Sequence, residues 1–266
     1  KHINPILGKL KLNEIKPIHI QRFYNKEREK GYSEKTILQE HRILHKALKK
    51  AVGDGLISRN PCDAVDAPSP EDYVPIIYTE DEFQLLLDKL KGHRMEAIIL
   101  LAGMCGLRRG ELLGLTWDNI DLEKGIITVE KTIVPTKTAG NIIKDPKTKK
   151  SKRTFTIPSA IIPSLKRLRG VGKLYTRLDG GDYNPGSVSR AFKDFLKENG
   201  LRHIRLHDLR HFNATMMLKY GVSEKGAQER LGHSNSTMTK KYQHILKDMD
   251  IKSADKLNNV LNKRLS

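Results

Sequence analysis

His207-Asp208-Leu209-Arg210-His211 opens the stretch on which the reading of this chain turns. Leu231-Gly232-His233-Ser234 follows, and Tyr242 stands nine residues after His233 in Thr239-Lys240-Lys241-Tyr242-Gln243-His244. His207 and Arg210 are three apart, so a helix that starts here sets both on one face, within reach of a single group. Gly200, Gly221 and Gly232 punctuate the region, and everything after Pro163 reads as helices. About 100 residues upstream, Gly106-Leu107-Arg108-Arg109-Gly110-Glu111-Leu112 sets two arginines beside a tight turn. Lys147-Thr148-Lys149-Lys150-Ser151-Lys152-Arg153 lies between the two.

Outward from these clusters the chain divides. Residues 1–67 predict a helical unit. Pro17 suits the first turn of a helix that stops at Gly31, and Ser33 is placed to cap the next one. That helix carries Ile37, Leu44, Leu48 and Ala51 as an apolar stripe, widened by Leu38, Ala47 and Val52, and ends at Gly53-Asp54-Gly55. Its polar face holds Lys35, Arg42, Lys46, Lys49 and Lys50. Residues 68–75, with Pro68-Ser69-Pro70, read as a linker. In the second unit, 76–247, Thr79-Glu80-Asp81-Glu82 has the capping-box pattern, with Phe83, Leu86, Leu87 and Leu90 facing inward after it. A very apolar helix from Met95 to about Met104 centres a second core. Strand patterns follow at Ile126–Val134 and Arg153–Ile157, the latter alternating Phe155 and Ile157 with Thr154 and Thr156. The basic run between them is a long hairpin arm. Residues 248–266 place Ile251, Ala254, Leu257 and Leu261 on one stripe of a tail helix, to be buried on its own unit or on a neighbouring protomer. The fold class is therefore mainly α with a small antiparallel sheet and hairpin (α+β).

The 266 residues carry 49 Lys+Arg against 31 Asp+Glu, a formal charge of +18, at 38% hydrophobic content. That is a globular composition with a polyanionic partner, because each cation set on a phosphate releases condensed counterion. The basic residues are spread along the chain rather than gathered on one amphipathic helix, which favours nucleic acid over a membrane surface. The longest uncharged apolar run, Ala97–Leu107, is well short of the ~20 residues a bilayer span needs. Cys62 and Cys105 are too few for a disulfide scaffold and fit a reducing cytosol. The first residue is Lys1 rather than Met, so a longer natural chain is expected.

Taken in order, the Gly-Leu-Arg turn, the basic arm, His-Asp-Leu-Arg-His and Leu-Gly-His-Ser with its tyrosine resemble the tyrosine recombinase (phage integrase) family. The likeness runs over essentially the whole chain and is greatest to the integrases of conjugative transposons and temperate phages. It implies a helical core-binding domain at 1–67, clamping DNA together with a catalytic domain at 76–247. It implies Tyr242 as nucleophile, Arg108 and Arg210 as phosphate clamp, His207 and His233 as hydrogen-bonding partners, and a hairpin lysine as general acid. Lys147 is the choice there, and Lys149, Lys150 and Lys152 stay open because the arm sets the register. Glu111 and His211 are expected to support the catalytic groups, and Lys35, Arg42, Lys46, Lys49, Lys149, Lys150, Lys152 and Arg153 to meet DNA. Arg109 reads as structural or DNA-facing, and Phe212 stands where relatives commonly have Thr or Ser.

The residue types suit the chemistry. A phosphodiester gains negative charge in its pentacoordinate transition state, which two permanently protonated, fork-shaped guanidinium groups are built to bind. A phenol with an ordinary pKa of about 10 needs such help, or a base, to attack near neutrality. The implied partners are double-stranded attachment sites and further copies of the chain, a dimer on one site and a homotetramer on paired sites, with accessory directionality or bending proteins, in the bacterial cytoplasm. No cofactor and no metal are implied. Three other readings stand beside this one: a type IB topoisomerase-like or hairpin-resolving enzyme, a catalytically silent DNA-binding regulator, and a metal-dependent nuclease using His203, His207 and His211. The last lacks a nearby carboxylate or cysteine to complete a site.

Overall fold

The computed structural model describes residues 2–71, 75–136, 141–144, 152–177 and 180–232. The chain forms two compact units, Lys1–Tyr73 and Val74–Ser266.

The N-terminal unit is helical: α1 (Ile3–Leu7), α2 (Pro17–Glu29) and α3 (Glu34–Gly53), followed by a short 3-10 turn at Pro61–Ala64. Pro17 starts α2, where its missing N–H costs nothing, and the Ser33 side chain accepts from the Thr36 N–H to cap α3. Leu7, Ile20, Phe23, Tyr24, Ile37, Leu44, Leu48 and Cys62 close the core. The apolar stripe of α3 is narrower than its sequence suggests. Ala47 is exposed, and Lys35, Arg42, Lys46 and Lys49 share the outward side with it.

The larger unit is α+β. At the start of α4 (Glu80–Leu90) the Thr79 N–H donates to Glu82 Oε2 at 2.7 Å and the Glu82 N–H donates to Thr79 Oγ1 at 3.2 Å. α5 (Glu96–Cys105) is buried on almost every side, which is why it is apolar all round. It packs against α9 (Asp208–Lys219), and the Phe83 and Phe212 rings meet beside it at 4.5 Å. Gly103 leaves room for that pair, since a Cβ there would lie 2.3 Å from Phe83 Cζ. Between α5 and α9 come α6 (Arg109–Gly114), the strands, α7 (Ile162–Leu168) and α8 (Pro185–Glu198), and α10 (Glu224–Leu231) ends the described chain. Among the described residues no helix is long and apolar enough to cross a membrane.

The strands depart from the sequence reading. The run expected as one strand over Ile126–Val134 is two, β2 (Ile126–Val129) and β3 (Thr132–Pro135), broken at the charged pair Glu130-Lys131. Each half takes a different partner. β2 lies between β1 (Ile120–Asp121) and β5 (Arg153–Thr156), and β3 pairs with β4 (Asn141–Lys144) as a separate antiparallel hairpin. In the β2–β5 ladder Val129 faces Arg153 and Ile127 faces Phe155. Thr128 faces Thr154 on the outer surface, with their hydroxyls 3.2 Å apart. The expected tail helix at 248–266 lies outside the described residues.

Candidate active site

α5 ends because Gly106 adopts a left-handed conformation, φ +64°, that reverses the chain. The space is as restrictive as the angle: a Cβ on Gly106 would lie 2.3 Å from Leu231 Cδ2 and 2.7 Å from Asn213 Oδ1. Leu107 is buried, and the chain then extends through Arg108, the cap of α6. Glu111, at the third helical position, accepts from the Arg108 backbone N–H at 2.8 Å. This is the local reason for arginine and glutamate three apart at a helix start.

The Glu111 carboxylate is the junction of the site. Its Oε1 accepts from Arg108 Nη1 at 2.8 Å and from Arg153 Nη1 at 2.9 Å, and its Oε2 accepts from Arg153 Nη2 at 2.9 Å. Burial alone would raise its pKa. The hydrogen bonds and charges of Arg153 and Arg108 outweigh that and hold it at about 2, so it is fully ionised at neutral pH. Arg108 also donates from Nη2 to the Gly232 carbonyl at 2.5 Å, while 36% of its side chain stays exposed. Arg153 donates from Nε to the Arg230 carbonyl at 3.0 Å and is only 8% exposed.

Arg210, the largest fully buried side chain among the described residues, comes up from the first turn of α9. It donates to the carbonyls of Gly106 and Leu231, the latter at 2.6 Å, and so ties the end of α5 to the end of α10. His207 caps α9, and its ring meets that of His211 edge-on with centroids 4.9 Å apart. Desolvation and the neighbouring Arg210 charge push the His207 pKa down, so its imidazole is neutral at pH 7. Burial, then His207, lowers His211 to about 4. Asp208 is buried and holds Arg205 through the backbone N–H at 2.8 Å and through Nη2 at 2.7 Å.

Arg108, Glu111, Arg153, His207, Arg210 and His211 thus belong to one assembly around the turns at 106–108 and 231–232. Gly232, in a left-handed conformation at φ +65°, ends α10 immediately before His233. His233 itself, Tyr242, Lys147, Lys149 and Lys150 lie outside the described residues. Lys152 is exposed and pairs with Glu130 at 2.9 Å, and Arg109 donates to Ser189 Oγ at 2.7 Å. Lys35, Arg42, Lys46 and Lys49 are on α3, in the other unit. Among the described residues the only group of three potential metal ligands is His2, Glu27 and Glu40, so His203, His207 and His211 do not gather as a metal site. Burial raises the Cys105 thiol to about 12, which leaves it unreactive.

Arg153 is the correction to the sequence reading. Placed among the DNA-facing lysines of the arm, it instead turns inward onto Glu111. The signal was present: Arg153 shares strand parity with Phe155 and Ile157, whose side chains pack on the core side.

Known proteins show the same architecture. The family described as Phage integrase family matches residues 77–249, and the Phage integrase, N-terminal SAM-like domain matches residues 1–28. A Tyrosine recombinase XerC-like protein of Caldanaerobacter subterraneus subsp. tengcongensis is 34% identical over 292 residues, covering 97% of this chain and 74% of its own. The ICEBs1 integrase of Bacillus subtilis is 28% identical over 279 residues, covering 98% and 75%. The structure of the Tn1549 transposon integrase in complex with transposon right end DNA has the same fold. It has a TM-score of 0.79 at 24% identity and covers 89% of this chain and 83% of that one.

Proposed function

Because the chain belongs to the phage integrase family of tyrosine recombinases, we propose that it is a site-specific DNA recombinase that inserts and excises a mobile element through a 3′-phosphotyrosyl intermediate. The observation that carries this reading is the convergence of Arg108 and Arg210 on the Leu231-Gly232 turn, which leads directly into His233, with His207 at the head of the helix that carries Arg210.

In this mechanism the Tyr242 oxygen attacks the scissile phosphorus and the bond to the 5′ oxygen breaks. Neutral His207 accepts the phenolic proton, and Lys147 protonates the departing 5′ oxygen. Arg108, with its partly exposed side chain, binds non-bridging oxygens. Arg210, at 2% exposure, holds fixed positive charge beneath them and braces the two turns. His233 donates a hydrogen bond to the same phosphate. Glu111 and His211 hold Arg108 and His207 in place. The phosphotyrosine conserves bond energy, so a 5′-hydroxyl from a second strand reverses the step, with no need for nucleotide cofactor or metal. Exchange of two duplexes breaks four strands and so takes four nucleophiles, a homotetramer built from a dimer on each attachment site. The exposed cations of α3, together with Lys149, Lys150 and Lys152, track the phosphate backbone.

The test is a nicked substrate that loses a short fragment on cleavage and traps the intermediate. The native chain forms a covalent adduct whose nucleotide-bearing peptide contains Tyr242, and Tyr242→Phe forms none. An adduct with Tyr242→Phe removes that tyrosine from the mechanism. Relaxation of supercoils on arbitrary sequence by a monomer supports the topoisomerase reading instead.

A further inference from the structure

We infer that Arg153 is a positioning residue for strand cleavage, acting on Arg108 through Glu111, and not one of the cations that grip DNA. The inference rests on the recombinase reading and extends it.

Arg153 is the first residue of β5 and ends a run of five cations in seven residues, Lys147–Arg153. Composition alone marks it as one more phosphate contact. Its surroundings do not. The guanidinium lies 5.7 Å from the centroid of the Phe155 ring, which also carries Arg230 at 4.9 Å. It meets both oxygens of Glu111 as a planar fork, and its Nε reaches the carbonyl of Arg230 at the end of α10. A Cβ on Gly232 would stand 3.4 Å from Arg153 Nη1, so the fork lies against the turn before His233. One side chain therefore joins β5, the start of α6 and the end of α10. To contact a phosphate it would have to abandon a carboxylate with which it is almost fully desolvated.

The consequence for Arg108 follows from the geometry of Glu111. With Arg153 present, both carboxylate oxygens are engaged from one side, and Arg108 binds through a single Nη while its other Nη rests on Gly232. Without Arg153, a buried carboxylate compensated mainly by Arg108 draws that guanidinium further onto itself, away from the substrate. Glu111 also loses its strongest ion pair, so its proton affinity rises and protonation begins to limit cleavage at mildly acidic pH.

The experiment compares Arg153→Gln, Arg153→Lys, Glu111→Gln and the double variant Arg153→Gln/Glu111→Gln with Lys150→Gln as reference. DNA affinity is measured across salt, and the adduct-forming rate at saturating substrate across pH. The expected result for Arg153→Gln has four parts. Its salt slope equals that of the native chain, whereas each lost phosphate contact lowers the slope by about 0.9. Its cleavage rate at saturation falls at least tenfold. An acid limb appears that the native chain lacks. The double variant is no slower than the slower single one. Arg153→Lys, which keeps the charge but not the fork, recovers part of the rate, and it carries the test if the glutamine variant does not fold. A lowered salt slope with unchanged cleavage at saturation overturns the inference and makes Arg153 a DNA contact. Independent, multiplicative losses in the double variant overturn the route through Glu111. A native chain that forms no adduct overturns the recombinase reading itself, an outcome distinct from both.

Discussion

Gly106→Ala is the substitution that most directly probes how the active-site turns meet. Two costs add. The backbone at φ +64° holds an L-residue in the left-handed region, which costs roughly 1–2 kcal/mol. The new methyl also enters space already occupied by Leu231 Cδ2 at 2.3 Å and Asn213 Oδ1 at 2.7 Å. Overpacking of that kind costs about 1–3 kcal/mol, since both neighbours can shift only in part. Together the loss is about 2–5 kcal/mol. For a unit of this size, at about 2–4 °C per kcal/mol, the Tm of the larger unit falls by roughly 4–20 °C. Urea unfolding gives the free energy independently, as a lower midpoint at unchanged slope. Gly221→Ala is the internal control, because Gly221 has φ +82° but nothing within 4 Å of a Cβ, so only the backbone cost applies. Because the Gly106 carbonyl accepts from Arg210, the variant also slows cleavage beyond what its stability explains. Equal destabilisation by the two substitutions would refute the close approach of the 106 and 231 turns.

Four further outcomes follow from the same geometry. The folded chain holds His211 near 4 against an ordinary 6.5, so the unfolded chain takes the proton first. About 3 kcal/mol of stability, complete above roughly pH 6.5, is lost as pH falls toward 4, and urea midpoints measured from pH 7.5 to 4 flatten in His211→Asn. Glu111, held near 2 against 4.5, gives a second decline between those values, absent in Glu111→Gln. Thr79→Ala removes one arm of the α4 capping box and costs about 1 kcal/mol by thermal melting, with cleavage unaffected below the transition. Arg108→Lys, which keeps the charge but loses the fork, lowers the adduct-forming rate by about 10²–10³ while DNA affinity changes little.

What could be read from the sequence was what local chemistry decides. The Thr79–Glu82 box, the Ser33 cap, Pro17 at the head of α2 and the glycines after α8, α9 and α10 each involve residues a few positions apart, and each is where the pattern places it. The strands were harder. Ile126–Val134 alternates well enough to pass for one strand, and its division depends on β2 finding β5 while β3 finds β4, pairings between distant segments. In the site, the helical spacing of His207 and Arg210 told which residues share a face, but not that Arg210 is wholly buried between two carbonyls. The inward turn of Arg153 was hidden because a run of cations suggests a solvated surface, and only the two-residue period of the strand says otherwise.

The pairing of Val129 with Arg153 carries a consequence for how the enzyme tolerates change. Slippage of β5 by one position against β2 would exchange Arg153 for Thr154, exposing the guanidinium and presenting a hydroxyl to the Glu111 carboxylate. The alignment of a four-rung ladder is thereby translated into charge balance around Glu111. Insertions or deletions in the neighbouring loop are then tolerated only in combinations that preserve the ladder's phase.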